Sequence, residues 1–301
     1  MCSQSIIAKA FRFIVVKFKL LCWNILGRFC QSITISSKQG IFTVLLKDNI
    51  ISKELFCYGQ FELGLFQEAM KFLRSLQKCP QRGEGTILDI GANNGVISLG
   101  ALYTGEFKNA IAIEPEPQNF SFLQHNVDQN GLKDRFICLP YAASNQKGEL
   151  SFELSKNNFG DHRVHRPAAL ANSEAERYHE SERRVISVKS DKVDTLLASL
   201  SQTFTQSISL IWVDVQGHEG YVFTGAKNLL SKGIPVMSEV WPYGMKRAGM
   251  SQEEFCDIAK GIWSHYCVRR RRGFVRYPIN TLDSLFDELG YDGISENVLF
   301  I

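Results

Sequence analysis

Two carboxylates and a run of small residues, Asp89-Ile-Gly-Ala-Asn-Asn-Gly95 followed by Glu114, are the residues of this chain best suited to holding a small ligand. The stretch Thr86-Ile-Leu-Asp-Ile90 is apolar except for its acid, and the glycines after it break a buried strand into a tight turn. Glycine lets the backbone approach a ligand where a side chain would stand in the way. The turn feeds a helix predicted over Val96–Tyr103, whose first N–H groups are free for a carboxylate or phosphate. A second apolar run, Ile111-Ala-Ile-Glu114, ends in an acid 25 residues after Asp89. Doubly wound folds place there the carboxylate that grips a ribose diol. This is the pattern of a nucleoside-cofactor site. A dinucleotide fingerprint needs glycines where Asn93 and Val96 stand, and no Gly-Lys-Ser/Thr completes a phosphate loop.

The elements that must position these residues follow from periodicity. A helix is predicted over Phe61–Leu76, with Leu65, Ala69, Leu73 and Leu76 on one face, ahead of the first core strand. Pro115–Asn130 reads as a helix stopped at Asn130-Gly131, and Arg135–Pro140 as a third strand. Residues of about 145–207 form an insertion. It holds a strand at Glu149–Leu154, a polar stretch Asn157–Arg184, a strand at Val185–Val188 and a short helix at Val193–Leu200. Alternation resumes with a strand at Ile208–Val215, a helix at Glu219–Ser231, a strand at Pro235–Trp241, a helix at Gln252–Tyr266 and a last strand at Glu296–Ile301. The expectation is an α/β domain over residues 50–301 with a mainly parallel sheet and its ligand beyond the C-terminal strand ends.

Residues 1–49 form a separate N-terminal helix and a hairpin over Ser32–Val44. Within 1–47 lie seven cations and no acid, so the remainder carries a net −4 against the whole-chain +3. No uncharged run reaches the roughly 20 residues that cross a bilayer. Lys17 and Lys19 also interrupt any signal-peptide core. Two roles stay open for this helix: lying on an anionic membrane surface, or packing on the main domain or on a second subunit. The mild overall charge gives no reason to expect nucleic-acid binding. Eight cysteines without a C-x-x-C pair fit reduced thiols in a cytoplasmic protein, one peripheral to the inner face of the membrane if the helix is an anchor.

Several blocks together resemble the FkbM family of S-adenosylmethionine (SAM) methyltransferases. They are Tyr58-Gly-Gln-Phe-Glu62, the Asp89–Gly95 turn, Ile113-Glu-Pro-Glu-Pro117 with Phe120, Leu123 and Asn126, Trp212-Val-Asp-Val-Gln-Gly-His-Glu219, and Asn297-Val-Leu-Phe-Ile301. The resemblance covers about residues 50–301 and implies the class I methyltransferase (Rossmann-like) fold. That fold has a seven-stranded, mainly parallel sheet with helices on both faces and an antiparallel last strand. It also implies SAM as cofactor and O-methylation of a carbohydrate or small-molecule hydroxyl. Asp89, Gly91, Ala92, Asn93 and Gly95 would then hold the methionine part of the cofactor, Glu114 the ribose, and Ala142, beside Tyr141 and Ala143, the adenine. Gln216 stands where the family commonly has Glu, keeping the hydrogen bonds but losing the charge.

Asp214 and His218, flanking the end of the fourth strand, are the candidates for the reacting side. An acid ending a buried strand needs a partner or a role. A histidine's ordinary pKa suits a general base near neutral pH. Asp161-His162-x-x-His165 lacks a fourth ligand, so no metal site is expected. Arg269-Arg-Arg-Arg272 is either a solvated hairpin or a cradle for an anionic acceptor. The insertion has the place of a substrate lid. Two alternatives remain: a non-catalytic membrane-associated protein retaining a SAM-like pocket, supported by Gln216 and the basic N-terminus, and a nicotinamide-dependent oxidoreductase, which the missing glycines oppose.

Overall fold

A computed structural model of the chain describes residues 2–165, 178 and 180–301. Helix α1 (Cys2–Leu26) contains no glycine or proline and leads into the antiparallel hairpin β1 (Ser32–Ser37) and β2 (Gly40–Leu45). Trp23 is buried against Phe56 of α2 (Ile51–Tyr58), a helix that the periodicity did not reveal. The Asp48 carboxylate starts α2 by accepting from the backbone N–H groups of Ile50 and Ser52, and Gly59 at φ +69° ends it. Helix α3 (Leu63–Ser75) then buries Leu65, Phe66, Ala69 and Leu73.

The main sheet begins with β3 (Thr86–Ile90), α4 (Val96–Tyr103), β4 (Asn109–Ile113), α5 (Pro117–Gln129) and β5 (Phe136–Leu139). The insertion forms a second, four-stranded sheet, ordered β6 (Ala142–Ala143), β9 (Arg184–Asp191), β7 (Gly148–Leu154), β8 (Arg163–Val164). Short helices α6 (Val193–Ala198) and α7 (Gln202–Thr205) return the chain to β10 (Ile208–Val213). The helix expected over Glu219–Ser231 is split at Ala226 into α8 (Glu219–Gly225) and α9 (Lys227–Leu230). Next come β11 (Val236–Val240), α10 (Pro242–Arg247) and α11 (Gln252–Lys260). The chain closes with β12 (His265–Arg270), β13 (Gly273–Pro278), α12 (Leu282–Leu289) and β14 (Glu296–Phe300).

The sheet order is β13-β12-β14-β11-β10-β3-β4-β5. Strands β5, β4, β3, β10 and β11 run parallel, and β14 is antiparallel to both β11 and β12. The class I sheet is therefore present, and an eighth strand, β13, extends it past β12. The helix expected to reach Tyr266 stops at Lys260. Its capping box at Ser251 and apolar face (Phe255, Cys256, Ala259) specify only the first turns, and the apolar run Tyr266-Cys-Val268 is a buried strand instead.

Alternation along the strands builds a layer on each face. Ile87, Leu210, Met237 and Leu299 meet α3, α4, α5 and the N-terminal hairpin on one side. Leu88, Val213, Val236 and Val298 meet α6, α8, α11 and α12 on the other. Crossovers on both faces leave the loops after β3, β4, β10 and β11 together at one end.

Candidate active site

The loop after β3 is shaped by what surrounds it. Gly91 has φ +84°, and a Cβ there would lie 1.8 Å from the backbone oxygen of Asp214, so only glycine fits. The N–H groups of Gly91 and Ala92 both donate to the Ile113 carbonyl, tying the loop to the end of β4. Asp89 is turned beneath the loop: its Oδ2 accepts from the N–H (3.1 Å) and hydroxyl (2.5 Å) of Ser98 in α4. Burial pushes its pKa up to about 6. Asn93 takes the left-handed φ of +52° and is buried.

Glu114 closes this half of the site. Only 4% of it is exposed, and its two oxygens accept from the N–H groups of Asn93 and Glu116, each at 2.8 Å. Desolvation raises its pKa to about 8. Gly91, Asn93, Glu114, Ala142 and Asp214 line one pocket with about 560 Å³ of non-atom space, together with Tyr141 and Ala143. Asp89, Ala92 and Gly95 lie behind that lining and support it.

The pocket's roof comes from the insertion, which periodicity did not flag as part of any site. The Phe159 carbonyl accepts from the side-chain amides of Asn93 (2.7 Å) and Asn119 (3.2 Å). His162, tilted against Phe159 and edge-on to Phe152, also lines the pocket. Its Nδ1 accepts from the Ser155 N–H at 3.0 Å, and burial followed by the nearby Arg183 lowers its pKa to about 4. At neutral pH the ring is uncharged with its proton on Nε2. The motif containing His162 is committed to other contacts: Asp161 pairs with Arg163 and Arg183, and His165 Nδ1 meets Glu153. No group of three His, Cys, Asp or Glu suited to a metal occurs among the described residues. The lid expected from Asn157–Arg184 falls partly on residues 166–177 and 179, outside the described residues.

Opposite Glu114, acids gather at the ends of β10 and β11. The Gln216 side-chain amide donates to Asp214 Oδ1 (2.6 Å) and to Glu239 Oε2 (3.1 Å). Glu62, just before α3, accepts from Asn297 Nδ2 at 3.5 Å. Asp214 keeps partial solvent contact through the pocket but is enclosed by protein, and its pKa rises to about 6. Glu62 rises to about 7, and Glu239 is pushed well above the usual carboxylate range. Desolvation is the largest cause for all three, and the charges that raise them further are other carboxylates. A neutral Gln216 thus bridges two acids where a third carboxylate would add repulsion.

His218 points elsewhere. It is buried, its Nε2 lies 2.9 Å from Ser144 Oγ, and its ring stacks on Tyr221 at 4.5 Å. It is not among the residues that line the pocket shared by Glu114 and Asp214. Glu219 likewise folds back to accept from the N–H groups of Val215 and Gly217, holding the loop that presents Asp214.

A family model described as the methyltransferase FkbM domain matches residues 89–276. The chain belongs to this family. The FkbM match spans the glycine loop, Glu114, the inserted sheet, the Asp214–Glu219 turn and the arginine hairpin. This FkbM-family chain is 28% identical over 170 residues to the 2-O-methyltransferase NoeI of Sinorhizobium fredii (strain NBRC 101917 / NGR234). The match takes in 54% of this chain and 66% of that protein, just under two thirds of its length. Among solved structures, methyltransferase FkbM from Methylobacillus flagellatus KT aligns at 13% identity and TM-score 0.40, over 73% of this chain and 44% of that one. TYW2 of P. horikoshii, in complex with MeSAdo, aligns at 12% identity and TM-score 0.37, over 90% and 72% respectively.

Proposed function

We propose that this protein is a SAM-dependent methyltransferase acting on a hydroxyl of a carbohydrate-like acceptor. The observation that carries the assignment is two carboxylates, Glu114 and Asp214, lining one glycine-lined pocket, with their pKa values raised first by burial and then by other carboxylates. Such a site favours a cationic ligand. Gly91 lets the loop after β3 pack directly on the Asp214 backbone, which brings the two walls of the pocket together. SAM, when bound, supplies a sulfonium-activated methyl group and two positive charges. The 2-O-methyltransferase relative supports a hydroxyl as the acceptor.

In this assignment Glu114 orients the ribose hydroxyls, and Gly91 and Asn93 shape the methionine end. Ala142 and Tyr141 border the adenine, while the Phe159 roof excludes water. Asp214, with a pKa near 6, takes the acceptor hydroxyl's proton, since a base works best with a pKa near the operating pH. Gln216 fixes its carboxylate, and His218 positions the loop from behind. Calorimetry with SAM and NAD side by side, followed by a radiolabelled-methyl screen of sugars and small phenols, tests both parts. SAM binding with transfer abolished in Asp214→Asn is expected; NAD binding without SAM binding would overturn it.

The outer face of α1 supports peripheral attachment to an anionic membrane. Phe11, Ile14, Phe18, Leu21 and Ile25 are exposed at three- and four-residue spacings, and Phe29 follows at 81% exposure. Lys17 and Arg28 accompany them, and residues 1–47 contain no acid. A second copy of the helix would bring the same positive charge to the contact, whereas anionic lipid complements it. No helix among the described residues is long and apolar enough to cross a membrane. Phe11→Ser/Phe18→Ser should lose sedimentation with phosphatidylserine vesicles; equal sedimentation of both proteins would refute the attachment.

A further inference from the structure

The turn between β12 and β13 concentrates positive charge at the ligand-bearing end of the sheet. Arg271 and Arg272 form a two-residue turn between Arg270 and Gly273, with Gly273 at φ +112°. Arg269 pairs with Glu68 of α3 at 2.7 Å, and Arg270 with Glu288 and Glu296. Arg271, Arg272 and Lys71 line the same surface depression and make no ion pair among the described residues. Five cations and a single carboxylate, Glu68, line that depression. Packing like charges this closely costs free energy unless an anion joins them.

Strand register places this turn relative to the acids. Arg270 reaches Glu296, the first residue of β14, and Glu296 stands opposite Val240 at the end of β11. The next residue, Asn297, stands opposite Glu239 and donates to Glu62. Two strand spacings, roughly 10 Å, therefore separate the arginine turn from Glu239, and a third, roughly 14 Å in all, separates it from Asp214 at the end of β10. A sugar carrying its charged group on a second ring or an extended arm covers that span.

Resting on the carbohydrate-hydroxyl assignment above, we propose that the arginine turn binds an oxyanion carried by the acceptor, a phosphate or a carboxylate. Planar guanidinium groups grip either oxyanion in bidentate fashion. The acceptor is then an anionic sugar, with its reacting hydroxyl at Asp214 and its charged group at Arg271, Arg272 and Lys71.

The test uses the full chain and an Arg271→Ala/Arg272→Ala variant, with SAM affinity and melting temperature as checks on folding. Inorganic pyrophosphate, titrated at low salt, is the binding probe. It should bind the wild type, weaken at least tenfold in the variant, and recover in part in Arg271→Lys/Arg272→Lys. In the methyl-transfer assay, disaccharides carrying a phosphate or a uronate on the second ring and matched neutral disaccharides are compared. A preference of tenfold or more for one anionic class, carried by KM and lost in the variant, is expected, and the preferred class identifies the oxyanion. Pyrophosphate binding that is absent, or equal in both proteins, would overturn the site. Equal use of neutral and anionic sugars would overturn it too, while leaving hydroxyl methylation standing. Turn-dependent pyrophosphate binding with no transfer to any sugar would support the oxyanion site and count against the carbohydrate assignment.

Discussion

Glu114→Ala separates structural from ligand-binding work at one residue. Its carboxylate satisfies two backbone N–H groups, those of Asn93 and Glu116, and both donors belong to buried residues. Leaving such a donor unpaired costs about 1–3 kcal/mol, so the free protein should lose roughly 2–6 kcal/mol. For a chain of this size that lowers the melting temperature by roughly 3–10 °C. The bound state should lose more, because the ribose hydroxyls also lose their acceptor. One charged hydrogen bond at about 1.5–3 kcal/mol raises the SAM Kd by roughly ten- to a hundredfold. Glu114→Gln keeps one acceptor oxygen and should fall between wild type and Ala in both measurements. Melting curves with and without SAM, together with calorimetry, give the two numbers separately. A folded Glu114→Ala protein with wild-type SAM affinity would refute the ribose assignment, whatever its melting temperature.

Gly91→Ala should abolish SAM binding and destabilise the fold by several kcal/mol, since its methyl group meets backbone rather than a movable side chain; wild-type melting would contradict the close approach. The raised carboxylates also give a sign for pH. The folded free protein retains protons that the unfolded chain loses above its ordinary carboxylate pKa, so the stability they contribute at low pH is lost as pH rises through about 6 for Asp214, 7 for Glu62 and 8 for Glu114. A cationic ligand replaces those protons, so SAM binding should release protons and tighten from pH 6 to 8, read by calorimetry in buffers of different ionisation heat; pH-independent affinity would contradict it. Arg163→Ala leaves Glu153, Asp161 and Glu180 without a guanidinium that also lies over Trp241 at 4.9 Å. A loss of about 3–5 kcal/mol and faster proteolysis within 155–190 are expected, and unchanged digestion would show that the insertion is held by other contacts.

Motifs that constrain the backbone were legible in the sequence. Gly91 and Glu114 declare themselves because a sharp turn and a buried acid at a strand end leave few residue choices. The roof was not legible: Phe159 and His162 sit in a polar stretch without periodicity, and they reach the pocket through a sheet whose pairing (β7 with β9) is set by long-range register. His218 was singled out because a histidine at a helix start has the right pKa for a base, and only packing shows its Nε2 beside Ser144. Glu239 was hidden within a strand read as apolar, its role appearing only once β11 lies beside β10 and Gln216 spans the two. Strand β12 was absorbed into a helix because Trp263 and Tyr266 continue the apolar spacing of α11.

Among the described residues, the Phe159 carbonyl, 66 positions beyond Asn93 in the chain, ties the roof to its floor, and a bond from the Asn49 N–H to the Asn157 carbonyl ties it to the segment before α2. Two neutral hydrogen bonds contribute about 1 kcal/mol each, so parting them costs roughly 2 kcal/mol. That corresponds to an open form at a few per cent of the population. The floor, built on β3, α4 and α5, need not move for this to happen. For the proposed SAM enzyme, cofactor exchange is then expected to proceed by brief lifting of this panel on the microsecond-to-millisecond scale, without unfolding of the core.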